Sequence, residues 1–198
     1  MFTEAEQIKI KSVKEMIKIE TESFLNQLCD FYSVEVFEDT VKNIFVSGGC
    51  IASLIQGEKV NDYDLYFKNE DVMNDIKMIY TKTSLKEQVE DVSENYREVL
   101  GQDGKLITEN AITLKNGVQL IMRHFGSPEE VRKTFDYVHC MPYYDFAEDK
   151  LYISRIQYDA IIWKKLVVNQ QMSSNLAHFQ KLTAFSRVDK FKKRGYRW

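Results

Sequence analysis

The chain has 198 residues, 27 Lys+Arg against 30 Asp+Glu, and 44% hydrophobic residues, of which many are aromatic. This excludes a mainly disordered chain, which would lack the apolar surface to offset its ordering entropy. With 8 Gly and 2 Pro, a collagen-like or linker-dominated chain is excluded as well.

The N-terminus, MFTEAEQIKIKSVKEM, is charged throughout and lacks the apolar stretch of a secretion signal. Ile8, Val13, Ile17, Phe24, Leu25, Leu28 and Tyr32 recur near helical spacing, which predicts one long helix or two short ones over 3–33. Ile44, Phe45 and Val46 predict a short strand over 43–47. A glycine pair follows, then a helix from Cys50 to about Gln56, stopped by Gly57. Residues 62–67 alternate polar and apolar as a strand does, and 71–83 read as a helix. Segments 106–114 and 118–124 read as strands joined at Asn116-Gly117, the strongest short hairpin signal in the chain. Ser127-Pro-Glu-Glu is a capping box with proline at the first helical position. Residues 135–141 read as a strand, and 143–146 and 151–153 frame a turn. Helices are expected from Arg155 to about Val168 and again from about 174 to 194.

Mixed strands first and helices last predict an α+β fold, a small mixed sheet flanked by helices. Its expected divisions are an N-terminal helical segment packing on the core (1–40), the core itself (41–154) and a C-terminal helical neck with a basic tail (155–198). No run of about 18 apolar residues is present to span a membrane. The cysteines, Cys29, Cys50 and Cys140, are odd in number and far apart, which argues against a disulfide framework and for buried thiols in a reducing cytoplasm. From Lys181 to Trp198 seven bases face a single acid, Asp189. A basic terminus on an acidic body suggests a polyanionic partner. His124, His139 and His178 are scattered and form no ligand pattern, and His139 is expected to be packed or exposed rather than catalytic.

The chemistry is concentrated between Phe45 and Phe67. Gly48 and Gly49 sit where a strand turns into a helix, so backbone N–H groups and the helix N-terminus can approach a phosphate. Asp62 and Asp64 lie two apart on the next strand, so both carboxylates emerge on one face. Such a pair can hold hard divalent cations, and those can clamp a triphosphate. Further on, Asp136 sits between Phe135 and Tyr137, where a buried charge needs a site to face. In the tail, Arg187, Lys190 and Arg194 are spaced three and four apart and share a helix face.

These segments resemble the nucleotidyltransferase superfamily that includes DNA polymerase beta, and within it the head and neck of bacterial tRNA nucleotidyltransferases (CCA-adding enzymes) and poly(A) polymerases. The head motif GGxVRDxLLGxxxxDxDL is similar to the stretch carrying Gly48, Gly49, Ile51, Ile55, Gly57, Asp62, Asp64 and Leu65 in register. RRDFTINAxAYD resembles 133–145 through Asp136, Tyr144 and Asp145, and the neck LRAxRFAARLGF resembles 186–196. The resemblance implies that Asp62 and Asp64 bind metal, Mg²⁺ or Mn²⁺. It implies that Ser47, Gly48 and Gly49 contact the triphosphate; the shared helix face of Arg187, Lys190 and Arg194 is expected to supply the phosphate contacts of the family's missing arginine. It implies that Asp136 is a third active-site carboxylate or holds the ribose.

The expected activity is transfer of an NMP from an NTP, ATP among them, to a hydroxyl acceptor, with release of pyrophosphate. The acceptor is an RNA 3′ end, another nucleotide or a protein side chain, and the basic tail favours RNA. The departures from the pattern are Ala52-Ser53 in place of Arg-Asp, Phe135 in place of arginine and Cys140 in place of asparagine. The chain also ends at Trp198, short of the body that holds tRNA in full-length members, so specific CCA addition is not expected. Two rivals follow from those departures: a catalytically weak or inactive nucleotide- or RNA-binding module acting through a partner, and a toxin-like transferase modifying tRNA or a protein. A chain this compact would suit a viral or mobile-element genome.

Overall fold

The structure is a computed structural model that describes residues 1–91, 105–172 and 187–198. The first helix, α1 (Glu4–Phe31), is a single element. It starts at a capping box in which the Thr3 hydroxyl accepts from the Glu6 N–H and the Glu6 carboxylate accepts from the Thr3 N–H. Val13, Ile17, Thr21, Phe24 and Leu28 form its buried face, and the Thr21 hydroxyl is satisfied by the Ile17 carbonyl at 2.7 Å. Burying a side chain the size of Phe24 contributes roughly 1.5–3 kcal/mol.

Next comes α2 (Val34–Lys42), which the sequence pattern does not announce. Its Val34 and Val36 are exposed, whereas Phe37 packs on the core and Thr40 is buried. The inward face is therefore short and partly polar.

Six strands form one sheet: β1 (Ile44–Ser47), β2 (Tyr63–Phe67), β3 (Ala111–Thr113), β4 (Val118–Phe125), β5 (Tyr143–Asp145) and β6 (Lys150–Tyr152). Their order is β3-β4-β2-β1-β5-β6; β2 and β4 run parallel and the other pairs antiparallel. Strand alternation divides the side chains between two faces. Ile44, Val46, Leu65 and Phe67 enter the main core. That core also takes residues of α1, α3 (Gly49–Gln56), α4 (Glu70–Lys82) and α6 (Arg155–Ile162). Phe45, Tyr66 and Tyr143 form a smaller cluster on the other face with Val131 of α5 (Pro128–Arg132). Asp64 alternates with Leu65 and so belongs to this second, less covered face.

The architecture is α+β, a mixed sheet flanked by helices, as the element order predicts. The Asn116-Gly117 hairpin forms, with Gly117 at φ +82° and the Leu114 N–H donating to the Val118 carbonyl at 2.8 Å. The capping box at Ser127 forms as well.

Other expectations are corrected. Residues 135–141 are not a strand. They make a bend at Asp136, a single bridge from Tyr137 to Val168 and a 3-10 turn over Val138–Cys140. The helix from Arg155 stops at Ile162, where Lys164 turns the chain with φ +47°. Only 111–113 of the expected strand over 106–114 is regular, and β2 begins at Tyr63, one residue after Asp62. Of the last expected helix, 187–193 is helical and its start lies outside the described residues. Among the described residues no helix is long and apolar enough to cross a membrane.

Candidate active site

A cavity of about 180 Å³ opens on the second face of the sheet. Its floor is the β1–α3–β2 unit, contributing Gly48, Gly49, Cys50, Ser53, Asn61, Asp62, Asp64 and Tyr66. One wall is 135–140, with Phe135, Asp136, Tyr137 and Cys140. The facing wall is the C-terminal helical segment, with Arg187, Lys190, Phe191 and Arg194.

The floor is built by local backbone chemistry. Gly48 caps α3 with φ +100° and ψ −155°, a conformation open to glycine but not to side-chain-bearing residues. Its N–H donates to the Cys140 carbonyl at 3.1 Å, which ties floor to wall. A Cβ on Gly48 would lie 2.7 Å from Asp64 Oδ2, so the absence of a side chain is what lets Asp64 sit over the turn. Helix α3 has no acid in its first turn, so its leading N–H groups and positive dipole end face the cavity uncompensated.

Asp64 stands opposite Ser47 on β1 and is half-buried, whereas Asp62 is exposed. Burial pushes the Asp64 carboxyl up to about 7; the charge of Asp62 adds to the rise and that of Lys190 opposes it. Among the described residues no three His, Cys, Asp or Glu side chains gather into a metal cluster. Two carboxylates facing an open cavity nevertheless fit Mg²⁺, which keeps several waters and takes its remaining ligands from substrate phosphates.

The structure brings Gly48, Gly49, Asp62, Asp64, Asp136, Arg187, Lys190 and Arg194 to one cavity. Ser47 is placed elsewhere. It is fully buried, its hydroxyl donates to the Pro142 carbonyl at 2.8 Å, and it does not line the cavity. The Asp136 carboxylate pairs with the Arg187 guanidinium. Arg194 lies close to the glycine turn, its Nη1 3.8 Å from where a Gly49 Cβ would be. The Cys140 thiol, on the cavity wall, is pushed up to about 12 by burial, so it stays protonated and inert. Asn61, Ser53, Tyr66 and Phe191 also line the cavity, although the sequence reading does not expect them there. For Tyr66 a signal exists: the period of two that pairs Asp62 with Asp64 continues to it.

The C-terminal segment is held in place by contacts distant in sequence. The Leu166 N–H donates to the Arg197 carbonyl at 2.8 Å, and the Arg197 N–H to the Lys164 carbonyl at 2.8 Å. Lys164 Nζ bridges Glu58 Oε1 (2.5 Å) and the Arg194 carbonyl (2.8 Å). Beneath it, His139 is packed among Tyr137, Phe191 and Tyr196, with ring centroids 4.3 Å from Tyr196. Neither His139 ring nitrogen has a hydrogen-bond partner among the described residues. Burial, with Arg194 nearby, lowers its pKa to about 3, so the ring is neutral. It is packed, one of the two placements the sequence predicts.

A strand, a Gly-Gly turn, a helix and a second strand entered between Asp62 and Asp64 form one unit, faced by the basic C-terminal segment. By sequence the chain belongs to the Gabija anti-defense 2 (Gad2) family, whose pattern it matches over residues 15–164. No curated protein matches it by sequence. Among solved structures it is similar to the Thermotoga maritima CCA-adding enzyme complexed with tRNA (13% identity, TM-score 0.49), covering 84% of this chain and 40% of that one. It is also similar to the Bacillus stearothermophilus CCA-adding enzyme in complex with CTP (12% identity, TM-score 0.42), covering 66% of this chain and 32% of that one. The chain thus spans two fifths or less of the length of these two enzymes.

Proposed function

We propose that this chain is a minimal, single-headed nucleotidyltransferase that moves an NMP from an NTP to a hydroxyl acceptor. The observation that carries the reading is Asp64 seated over Gly48, its carboxyl raised beside Asp62, in a cavity that also receives the α3 N-terminus and three basic side chains. Asp62 and Asp64 would hold Mg²⁺ or Mn²⁺, which when bound neutralises triphosphate charge and activates the acceptor hydroxyl.

The chain's own residues supply position and field. The Gly48-Gly49 turn and the α3 N-terminus receive the β and γ phosphates. Arg187, Lys190 and Arg194 add positive charge from the opposite wall, which offsets the Ala52-Ser53 and Phe135 departures. Asp136 lines the same cavity, its carboxylate paired with Arg187. The acceptor oxygen bonds to the α-phosphorus, the bond from that phosphorus to the α–β bridging oxygen breaks, pyrophosphate leaves and the hydroxyl proton passes to solvent. Catalysis of this kind is largely positioning and charge stabilisation.

An RNA 3′ end is the preferred acceptor. In sequence the bases continue through Lys192, Lys193 and Arg197, a charge run suited to a polyanion. The family name favours a second reading, in which the chain counters the defense called Gabija by acting on a component of it, as a transferase or as a binding module. Label transfer from each of four α-labelled NTPs, with Mg²⁺ or Mn²⁺, onto total RNA and total protein separates these readings. Label on RNA that is lost in Asp62→Asn/Asp64→Asn supports the first. Label on a protein supports the transferase form of the second, and no label from the folded chain supports the binding module.

A further inference from the structure

We infer that Asp136 is a positioning residue: it acts through Arg187, aiming the guanidinium into the cavity as the clamp on the polyphosphate of the substrate. This rests on the nucleotidyltransferase reading and gives Asp136 a task other than metal binding. Among the described residues Asp136 does not join Asp62 and Asp64 in a three-ligand cluster, and its carboxylate is already paired with Arg187.

The pair is asymmetric. The Asp136 side chain is 15% exposed and that of Arg187 53%. The backbone around Asp136 is pinned by Asn169, itself 3% exposed. The Asn169 N–H donates to the Asp136 carbonyl at 2.9 Å, and its side-chain Nδ2 donates to the Phe135 and Arg132 carbonyls, both at 3.0 Å. A fixed carboxylate therefore orders a long side chain that would otherwise sample solvent. A guanidinium presents five donors in a planar fork, so one edge can hold Asp136 while another meets a phosphate. The three cations of the C-terminal segment then serve three places: Arg194 beside the Gly49 turn, Lys190 acting on Asp64, and Arg187 on the Phe135–Asp136 wall.

The sign of one measurement separates this role from a metal-ligand role. Deleting a carboxylate charge beside a polyanion site strengthens metal-free anion binding by removing repulsion. Deleting one that orders an arginine weakens it. The experiment is calorimetric titration of inorganic tripolyphosphate in EDTA against the full chain and its variants, with melting temperatures measured alongside.

We expect Arg187→Ala to weaken binding about tenfold or more. Asp136→Asn should weaken it about three- to tenfold through the lost ordering of one long side chain, with no further loss in the Arg187→Ala background. Asp64→Asn should bind more tightly than wild type. Arg187→Lys keeps the charge but not the fork, and should lose at least about threefold even if Asp136→Asn fails to fold.

Asp136→Asn binding as tightly as wild type or tighter, losses that add in the double variant, or Arg187→Lys matching wild type would each overturn the inference. A wild-type chain that does not bind tripolyphosphate would overturn it too. The expected variant pattern in a chain that transfers no label from any NTP would overturn the nucleotidyltransferase reading and leave the Asp136–Arg187 assignment standing.

Discussion

Lys190 faces Asp64 across the cavity, and its charge is what holds the Asp64 carboxyl down against burial and the charge of Asp62, leaving it at about 7. An acid whose pKa is raised on folding binds protons more tightly folded than unfolded. Its contribution favours the folded state at low pH and is lost as pH rises from about 4 to about 7. Above that range the ionised carboxylate strains the fold. Asp64→Asn should therefore raise stability at pH 8 by on the order of 1–3 kcal/mol. The same substitution should abolish transfer. Mg²⁺ should raise the melting temperature of wild type by mass action and leave that of Asp64→Asn unchanged. Melting curves at pH 8 with Mg²⁺ or EDTA test all but the transfer, and a variant less stable than wild type would contradict the electrostatic account.

Gly48 carries the turn on which Asp64 rests. Its φ of +100° is hostile to a side chain, and an added methyl would meet Asp64 Oδ2 at 2.7 Å. Gly48→Ala should cost about 1–3 kcal/mol of stability from backbone strain. It should also push Asp64 from its place, so the residual Mg²⁺-dependent stabilisation falls along with transfer. Gly57→Ala is the control. That glycine also has positive φ, +69°, but a methyl added there would meet nothing within 4 Å, so strain appears without loss of the metal response. Melting curves of the two variants with and without Mg²⁺ check the contrast, and a Gly48→Ala chain with the wild-type Mg²⁺ response would refute it.

The floor of the site is legible in the sequence because its signals are local. A Gly-Gly turn and an Asp-x-Asp at period two need no distant partner to be read, and Asn116-Gly117 and Ser127-Pro128 are likewise self-contained. The wall misleads for the same reason. Phe135-Asp136-Tyr137 alternates as a strand does, but its partner is Val168 and Asn169, more than 30 residues on, and a single bridge with a 3-10 turn results. Ser47 resembles a phosphate contact from its place beside the glycines. Its hydroxyl is claimed by the Pro142 carbonyl, a partner that arrives once β5 lies against β1.

Asn169 is the distant partner on which the wall depends. Its side-chain amide satisfies two carbonyls, and its Oδ1 accepts from the Gln171 N–H at 3.1 Å. Asn169→Ala takes that donor from the part-buried carbonyls of Arg132, which still accepts from the Phe135 N–H, and of Phe135, a loss of about 1–2 kcal/mol. Asn169→Asp should be at least as damaging, because it replaces the donor with an acceptor facing two carbonyls. If Asp136 loses its anchor, tripolyphosphate affinity should fall with stability. Denaturant titration read beside anion titration checks both, and an Asn169→Ala chain of wild-type stability would show that the 132–136 segment is held by other contacts.

His139 gives the acid limb of stability a specific origin. Its pKa falls from the ordinary 6.5 to about 3 because the ring is buried and Arg194 lies near. The unfolded chain therefore binds a proton at this residue between those values and the folded chain does not. Stability is full above about pH 6.5 and declines as pH falls toward 3, by up to about 1.4 kcal/mol per pH unit. Glu6 and Glu130, held low by their capping boxes, lose their contributions only below their ordinary 4.5, and Asp149 below its ordinary 3.8. The window from 6.5 to about 4.5 thus belongs to His139 more than to these acids, while the Asp64 contribution over much of that range runs in the opposite sense. His139→Phe keeps the aromatic packing with Tyr137, Phe191 and Tyr196 and removes two unpartnered ring nitrogens. It should flatten the decline in that window and leave stability at pH 8 equal or higher. Chemical denaturation of both chains at pH 5 and pH 8 measures the difference directly, and a parallel fall in the two would place the acid sensitivity elsewhere.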